Sequence, residues 1–123
     1  MTASAYSLSA AFPSANFAVT RGTPVLGGLR KGTHHLFCPS CKSWMFTRPE
    51  GVDFVNVRTT MLDDTSGLEP FVETYMREKL AWTRPTAERT FETFPDTDAY
   101  PALLEAYAAY RAARAPAPAA AES

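Results

Sequence analysis

The residues in this chain most able to do chemistry are its two cysteines, which stand together as Cys38-Pro39-Ser40-Cys41. A C-x-x-C held in a tight turn aims backbone amides at its thiolates. It sets two sulfurs at two corners of a tetrahedron, the half-site of a zinc knuckle, with Zn–S distances of about 2.3 Å. Structural zinc takes four ligands, so the pair supplies half a site. His34 and His35 are the nearest candidates for a third ligand. Neighbouring strand residues point to opposite faces, so at most one of the two turns toward a metal held by the cysteines. Two other readings of the pair stay open. A thioredoxin-like redox motif places its C-x-x-C at a helix N-terminus in a βαβ context, whereas Lys42-Ser43-Trp44-Met45-Phe46-Thr47 resembles a strand. Two reduced thiols in a turn with no metal are the plainest reading.

Other residue groups admit a functional reading beside an ordinary one. His34 and His35 suit a proton shuttle, or are simply polar strand residues. Asp63 and Asp64 suggest paired carboxylates for acid–base work, but Asp-Asp-Thr-Ser-Gly is also common turn chemistry. Trp44, Phe46, Tyr75 and Trp82 suit the wall of a ligand pocket or a packed core. Arg30 and Lys31 suit a carboxylate ligand or a solvated turn. The chain has no Ser-His-Asp order, phosphate-binding glycine loop or calcium-binding loop.

These residues must be positioned by a small protein. The 123 residues are enough for one domain, and 46% hydrophobic with 20% charged residues is an ordinary globular balance. A net charge of -1 without a basic stripe argues against a nucleic-acid partner. No apolar run approaches the roughly 18–20 residues of a membrane helix. The first residues carry neither the basic nor the apolar region of a secretory signal. A cytoplasmic protein is expected, and in that reducing compartment a lone cysteine pair points to metal or redox chemistry before a disulfide.

The first ninety-odd residues read as short strands broken by turns, the pattern of an all-β architecture. Strands are expected at Tyr6–Phe12, Asn16–Thr20, from Val25, at Thr33–Phe37, Trp44–Thr47, Asp53–Thr60 and Pro70–Met76, with a weaker one at Arg89–Phe94. Asp96, Thr97 and Asp98 offer N-cap side chains and Pro101 fits a first helical turn. Tyr100, Leu103, Leu104, Tyr107 and Ala108 follow at helical spacing, predicting one amphipathic helix over roughly 99–113. The Ala/Pro-rich end has almost nothing to bury and reads as a disordered tail. The expected organisation is a β-domain over 1–95, a helix over 96–113 and a tail over 114–123.

Together the motifs resemble a known family. His35-Leu36-Phe37-Cys38-Pro39-Ser40-Cys41 followed by Trp44-Met45-Phe46 resembles the second cysteine pair of the glutathione-dependent formaldehyde-activating, or centromere protein V-like, family. Phe54-Val55-Asn56-Val57-Arg58 with Met61-Leu62-Asp63-Asp64 resembles its strand and L-D-D loop. Pro70 and Glu78-Lys79-Leu80-Ala81-Trp82 resemble its closing segment, and Thr2–Tyr6 the strand after its central cysteine motif. The likeness covers roughly residues 2–95 and rests on the order of these motifs together.

The resemblance implies a Mss4-like fold of stacked antiparallel sheets. It implies a structural zinc site whose later cysteine pair maps onto Cys38 and Cys41, and a catalytic site built on an upstream C-x-C-x-x-C. It implies addition of glutathione to formaldehyde, a carbon–sulfur lyase-type reaction, with glutathione as co-substrate; the paired cations Arg30 and Lys31 suit its carboxylate. The sequence departs from the family at three points: it has no C-x-C, no C-x-C-x-x-C, and Lys42 where a glycine usually follows the second cysteine. Met1 is expected to correspond to an internal methionine of a longer family member. The expected chain is therefore a family scaffold with half a structural zinc site and no catalytic residues. It either belongs to an enzyme whose chemistry lies elsewhere or acts as a non-catalytic zinc-binding or interaction module. An incomplete sheet leaves an apolar edge open to another chain, so a homodimer is expected.

Overall fold

The structure, a computed structural model, describes residues 4–28 and 31–115. The chain divides into two compact units, Met1–Leu68 and Glu69–Ser123.

The first unit is built on one sheet. Its strands are β1 (Ser9–Pro13), β2 (Val25–Gly27), β3 (Thr33–Phe37), β4 (Trp44–Pro49) and β5 (Phe54–Arg58). Their spatial order is β1-β5-β4-β3-β2, and every pairing is antiparallel. Pro13 cannot donate to a ladder, and it sits where that costs least, at the end of an edge strand. Gly28, with φ of 69°, ends β2 in a conformation that side chains disfavour.

Register sets the two faces. Leu26 pairs with Leu36, Leu36 with Phe46, and Phe46 with Val57, so one apolar row crosses four strands. The core grows from this row. Phe46, Val55 and Val57 are buried, with Phe17, Leu36, Met45 and Leu62 packed around them. Val55 is completely buried, a placement that stabilises by roughly 1.5–3 kcal/mol.

The expected strand over Asn16–Thr20 does not form. A 3-10 turn occupies Ser14–Asn16, and the next residues run without a ladder partner. The apolar alternation of Phe17 is satisfied instead by one side-chain contact, its ring lying 4.8 Å from that of Phe46.

The second unit is less regular. β6 (Val72–Glu73) and β7 (Arg89–Thr90) form a parallel pair two residues long. The helix α1 covers Tyr100–Arg114, close to its expected span, with Pro101 in its first turn. The expected carboxylate cap is not used. A 3-10 turn at Thr97–Ala99 leads directly into the helix, and its N-cap, Ala99, makes no side-chain cap. Phe71 anchors the helix, its ring 5.2 Å from Tyr107 and 5.0 Å from Tyr110. Leu104, expected on the apolar face, is 67% exposed.

The fold is thus all-β with one C-terminal helix, as the sequence predicts. From residue 116 the expected tail lies outside the described residues. Among the described residues no helix is long and apolar enough to cross a membrane.

Candidate metal-binding turn

The cysteines lie on the connection between β3 and β4. Two backbone bonds close it: Cys38 N–H donates to Ser43 O (2.9 Å) and Lys42 N–H to Cys38 O (3.0 Å). The turn forces Lys42 to φ of 63°, a left-handed conformation that costs a side-chain-bearing residue about 1–2 kcal/mol. The glycine usual at this position in the resembled family is therefore explained by backbone geometry, and this chain carries the strain. The Lys42 ammonium folds back onto the carbonyl of Pro39.

Both cysteines are free thiols, Cys38 half-buried and Cys41 exposed. The Cys41 thiol lies 3.2 Å from Ser43 Oγ. Hydrogen bonds from the Ser43 side chain and then its backbone, with a weaker one from Cys38, lower the Cys41 pKa to about 7. A thiol so placed reaches the thiolate form, the form that binds metal, near neutral pH.

The chemistry of this donor set fits two corners of a zinc tetrahedron and goes no further. Among the described residues no three His, Cys, Asp or Glu side chains gather in a way that suits a metal ion. The two histidines point to opposite faces, as strand geometry requires, and both are engaged elsewhere. His34 Nε2 lies 3.5 Å from the Glu50 carboxylate. His35 has both ring nitrogens in use, Nδ1 2.8 Å from Thr47 Oγ1 and Nε2 3.1 Å from Thr33 Oγ1. Burial lowers its pKa and favours the neutral ring.

That histidine belongs to a polar and aromatic network beneath the cysteine turn. A bulge after Leu36 shifts the β3–β4 register and lets Trp44 share a face with Thr47. Trp44 Nε1–H donates to the buried Thr47 hydroxyl (3.0 Å), and the Trp44 ring meets His35 edge-on at 5.2 Å. The Arg58 guanidinium covers Trp44 at 4.5 Å. Its Nη1 is buried without a hydrogen-bond partner among the described residues, and burial lowers its pKa. Sequence reasoning missed Thr47 and Arg58. The alternation of β4 and β5 marks both as polar-face positions, but only the bulge brings them to Trp44.

The other candidates separate. Asp64 Oδ1 accepts from Ser66 N–H at 2.8 Å, so it serves the turn, and the Ser66 side chain and then its backbone lower its pKa. Phe46 is core, whereas Trp82 is 71% exposed. Tyr75 meets Phe94 edge-on at 4.9 Å. Lys31 is exposed, and Arg30 lies outside the described residues. The redox reading lacks its context, since the segment leaving the cysteines is the strand β4.

An antiparallel sheet carrying a C-x-x-C on one hairpin defines a small β-domain with a pair of free thiols in a closed turn. The model of the glutathione-dependent formaldehyde-activating enzyme family matches residues 1–78, and the chain belongs to that family. A search of curated proteins found no match.

Proposed function

We propose that Cys38 and Cys41 are the paired thiolates of a structural zinc site, and that the chain is a scaffold member of its family without turnover of its own. The observation that carries this reading is the closed turn. Two free thiols are held together by the Cys38–Ser43 and Lys42–Cys38 backbone bonds, while among the described residues no third ligand gathers beside them. The nearby His35, the natural base, is tied to two threonines.

The family's reaction is addition of glutathione to formaldehyde. The thiol sulfur bonds to the carbonyl carbon, the C=O π bond breaks, and the thiol proton ends on oxygen as S-hydroxymethylglutathione. Bound zinc would hold and orient a sulfur nucleophile in that chemistry. The role of this chain's residues is architectural: Ser43 favours the Cys41 thiolate, and the turn fixes both sulfurs. The missing two ligands would come from a second copy, giving four thiolates across a homodimer. Exposed Cys41 and the open edges β1 and β2 support that arrangement. A reducing cytoplasm suits two unbridged thiols at this spacing.

Native mass spectrometry of the zinc-supplied chain tests the reading, with one zinc per two chains expected and none after Cys38→Ser. Absence of zinc from the unaltered chain would end it. A parallel assay of glutathione and formaldehyde is expected to show no rate above the uncatalysed one; turnover that Cys41→Ser abolishes would make the pair catalytic instead.

A further inference from the structure

On the face of the first unit that carries the apolar row, β2, β3 and β4 enclose a shallow hollow of about 320 Å³. Its walls are Leu26, Leu36, Phe46, Val19 and Pro24, and its polar residues among those described are His34 and Arg48. Neither cysteine lines it, so it stands apart from the metal-binding turn.

The charge pattern of the hollow is unbalanced. His34 and Arg48 are register partners across β3 and β4, two basic side chains set directly opposite each other. Like charges so placed repel when both are protonated. His34 has Glu50 at 3.5 Å, but Arg48 is paired with no carboxylate among the described residues. Its guanidinium lies over the rings of Phe17 (5.3 Å) and Phe46 (5.8 Å). Those contacts hold the charge at the rim of an apolar cavity and leave its N–H fork without an anion. Small-molecule sites combine an apolar wall with a few convergent polar groups in this way, at volumes from about 300 Å³.

We infer that this hollow is a binding site for a small amphipathic carboxylate. Its alkyl or single-ring body rests on Leu26, Leu36 and Phe46, and its carboxylate takes the fork of Arg48. The carboxylate supplies the absent counter-charge, and the planar guanidinium suits it in two-point contact. The hydrocarbon covers side chains left open to water, Leu26 being 46% and Val19 43% exposed.

The experiment is a titration of the full ¹⁵N-labelled chain with octanoate and, separately, with octanol, read from amide shifts. Octanoate is expected to move the amides of Leu26, Leu36, Phe46 and Arg48 saturably. Octanol is expected to bind about tenfold more weakly or worse, the worth of a hydrogen bond to a charged group. Arg48→Met keeps an apolar stem and loses the charge, so it should cost octanoate that tenfold and leave octanol unchanged, while Arg48→Lys recovers part of the loss. Equal affinity for the two ligands, octanoate shifts confined to other residues, or undiminished octanoate binding by Arg48→Met would overturn the inference. Loss of the octanoate shifts at concentrations where the ligand-free chain self-associates would assign the hollow to a second copy, and would overturn it too. Should Arg48→Met fail to fold, the contrast between octanoate and octanol on the unaltered chain decides alone.

Discussion

The two units solve the same problem, holding short segments together, by different means. In the first, strands of three to six residues are joined edge to edge in one five-stranded sheet, and their register lines Leu26, Leu36, Phe46 and Val57 into one apolar row. In the second, β6 and β7 pair over only two residues, and ring contacts of Phe71 with Tyr107 and Tyr110 hold the helix. A ladder spreads its stabilisation over many bonds and fixes which face is buried. An aromatic anchor concentrates it in one side chain and leaves the neighbours exposed. The chemistry follows the ladder: the cysteine turn, the Thr47 network and the hollow all grow from β3 and β4.

The comparison breaks most directly at its two anchors. Val55→Ala removes two buried methyl groups from the only completely buried side chain among the described residues. At roughly 0.8 kcal/mol per group plus a cavity term, it should cost about 2–3 kcal/mol. Phe71→Ala removes a half-buried ring whose two tyrosine contacts are each worth about 0.5–1.5 kcal/mol, so the contacts account for about 1–3 kcal/mol and the loss of the ring's buried surface adds to it. Urea unfolding followed by Trp fluorescence and by far-ultraviolet circular dichroism measures both. A loss for Phe71→Ala below that for Val55→Ala would show that stabilisation in the second unit is not concentrated in its aromatic anchor.

The same contrast explains what the sequence makes legible. Thr33–Phe37 is read to the residue because the cysteine pair bounds it, and the expected Asp53–Thr60 contains Phe54–Arg58 because strict alternation on a ladder leaves a period-two trace. Asn16–Thr20 carries the same trace without a ladder, since Phe17 alone satisfies it against Phe46. In the second unit Asp96 and Asp98 look like caps, but a 3-10 turn takes their place and hands the helix on from Ala99. The cysteine half-site is legible because both its donors lie within one turn. The hollow is not, because Leu26, Leu36 and Phe46 become neighbours only once the register of three strands is known.

Within the first unit, Lys42 sharpens the comparison by locating strain where the ladder is interrupted. Its left-handed backbone carries about 1–2 kcal/mol, and glycine adopts that conformation freely at some cost in unfolded-chain entropy. Lys42→Gly should therefore stabilise the chain by about 0.5–1 kcal/mol in urea unfolding. A loss of stability would mean that the Lys42 ammonium on the Pro39 carbonyl outweighs the backbone strain.

The smallest effect belongs to the second unit, where the helix end is tied by charge. Arg114 Nε–H donates to Glu69 Oε1 at 2.6 Å. A hydrogen bond from Tyr110 first, and then the one from Arg114, holds the Glu69 carboxyl below its ordinary value. The same Glu69 contact raises the Tyr110 phenol. The signs differ at the two ends of the pH scale. A depressed carboxyl contributes stability that is present above the unfolded glutamate value and lost as pH falls through the folded one. A raised phenol contributes stability that is present below the unfolded tyrosine value and lost as pH rises through the folded one. The cluster is therefore expected to stabilise most between those limits, and only slightly, because its groups are solvent-exposed and screened. Glu69→Gln should flatten the acid limb of a stability-versus-pH curve and, by removing the acceptor that raises the phenol, the alkaline limb as well. Tyr110→Phe should remove the alkaline contribution entirely and weaken the acid one. An acid limb of Glu69→Gln identical to that of the unaltered chain would show that neither Tyr110 nor Arg114 holds the carboxylate in solution, leaving Phe71 to anchor the helix by its rings alone.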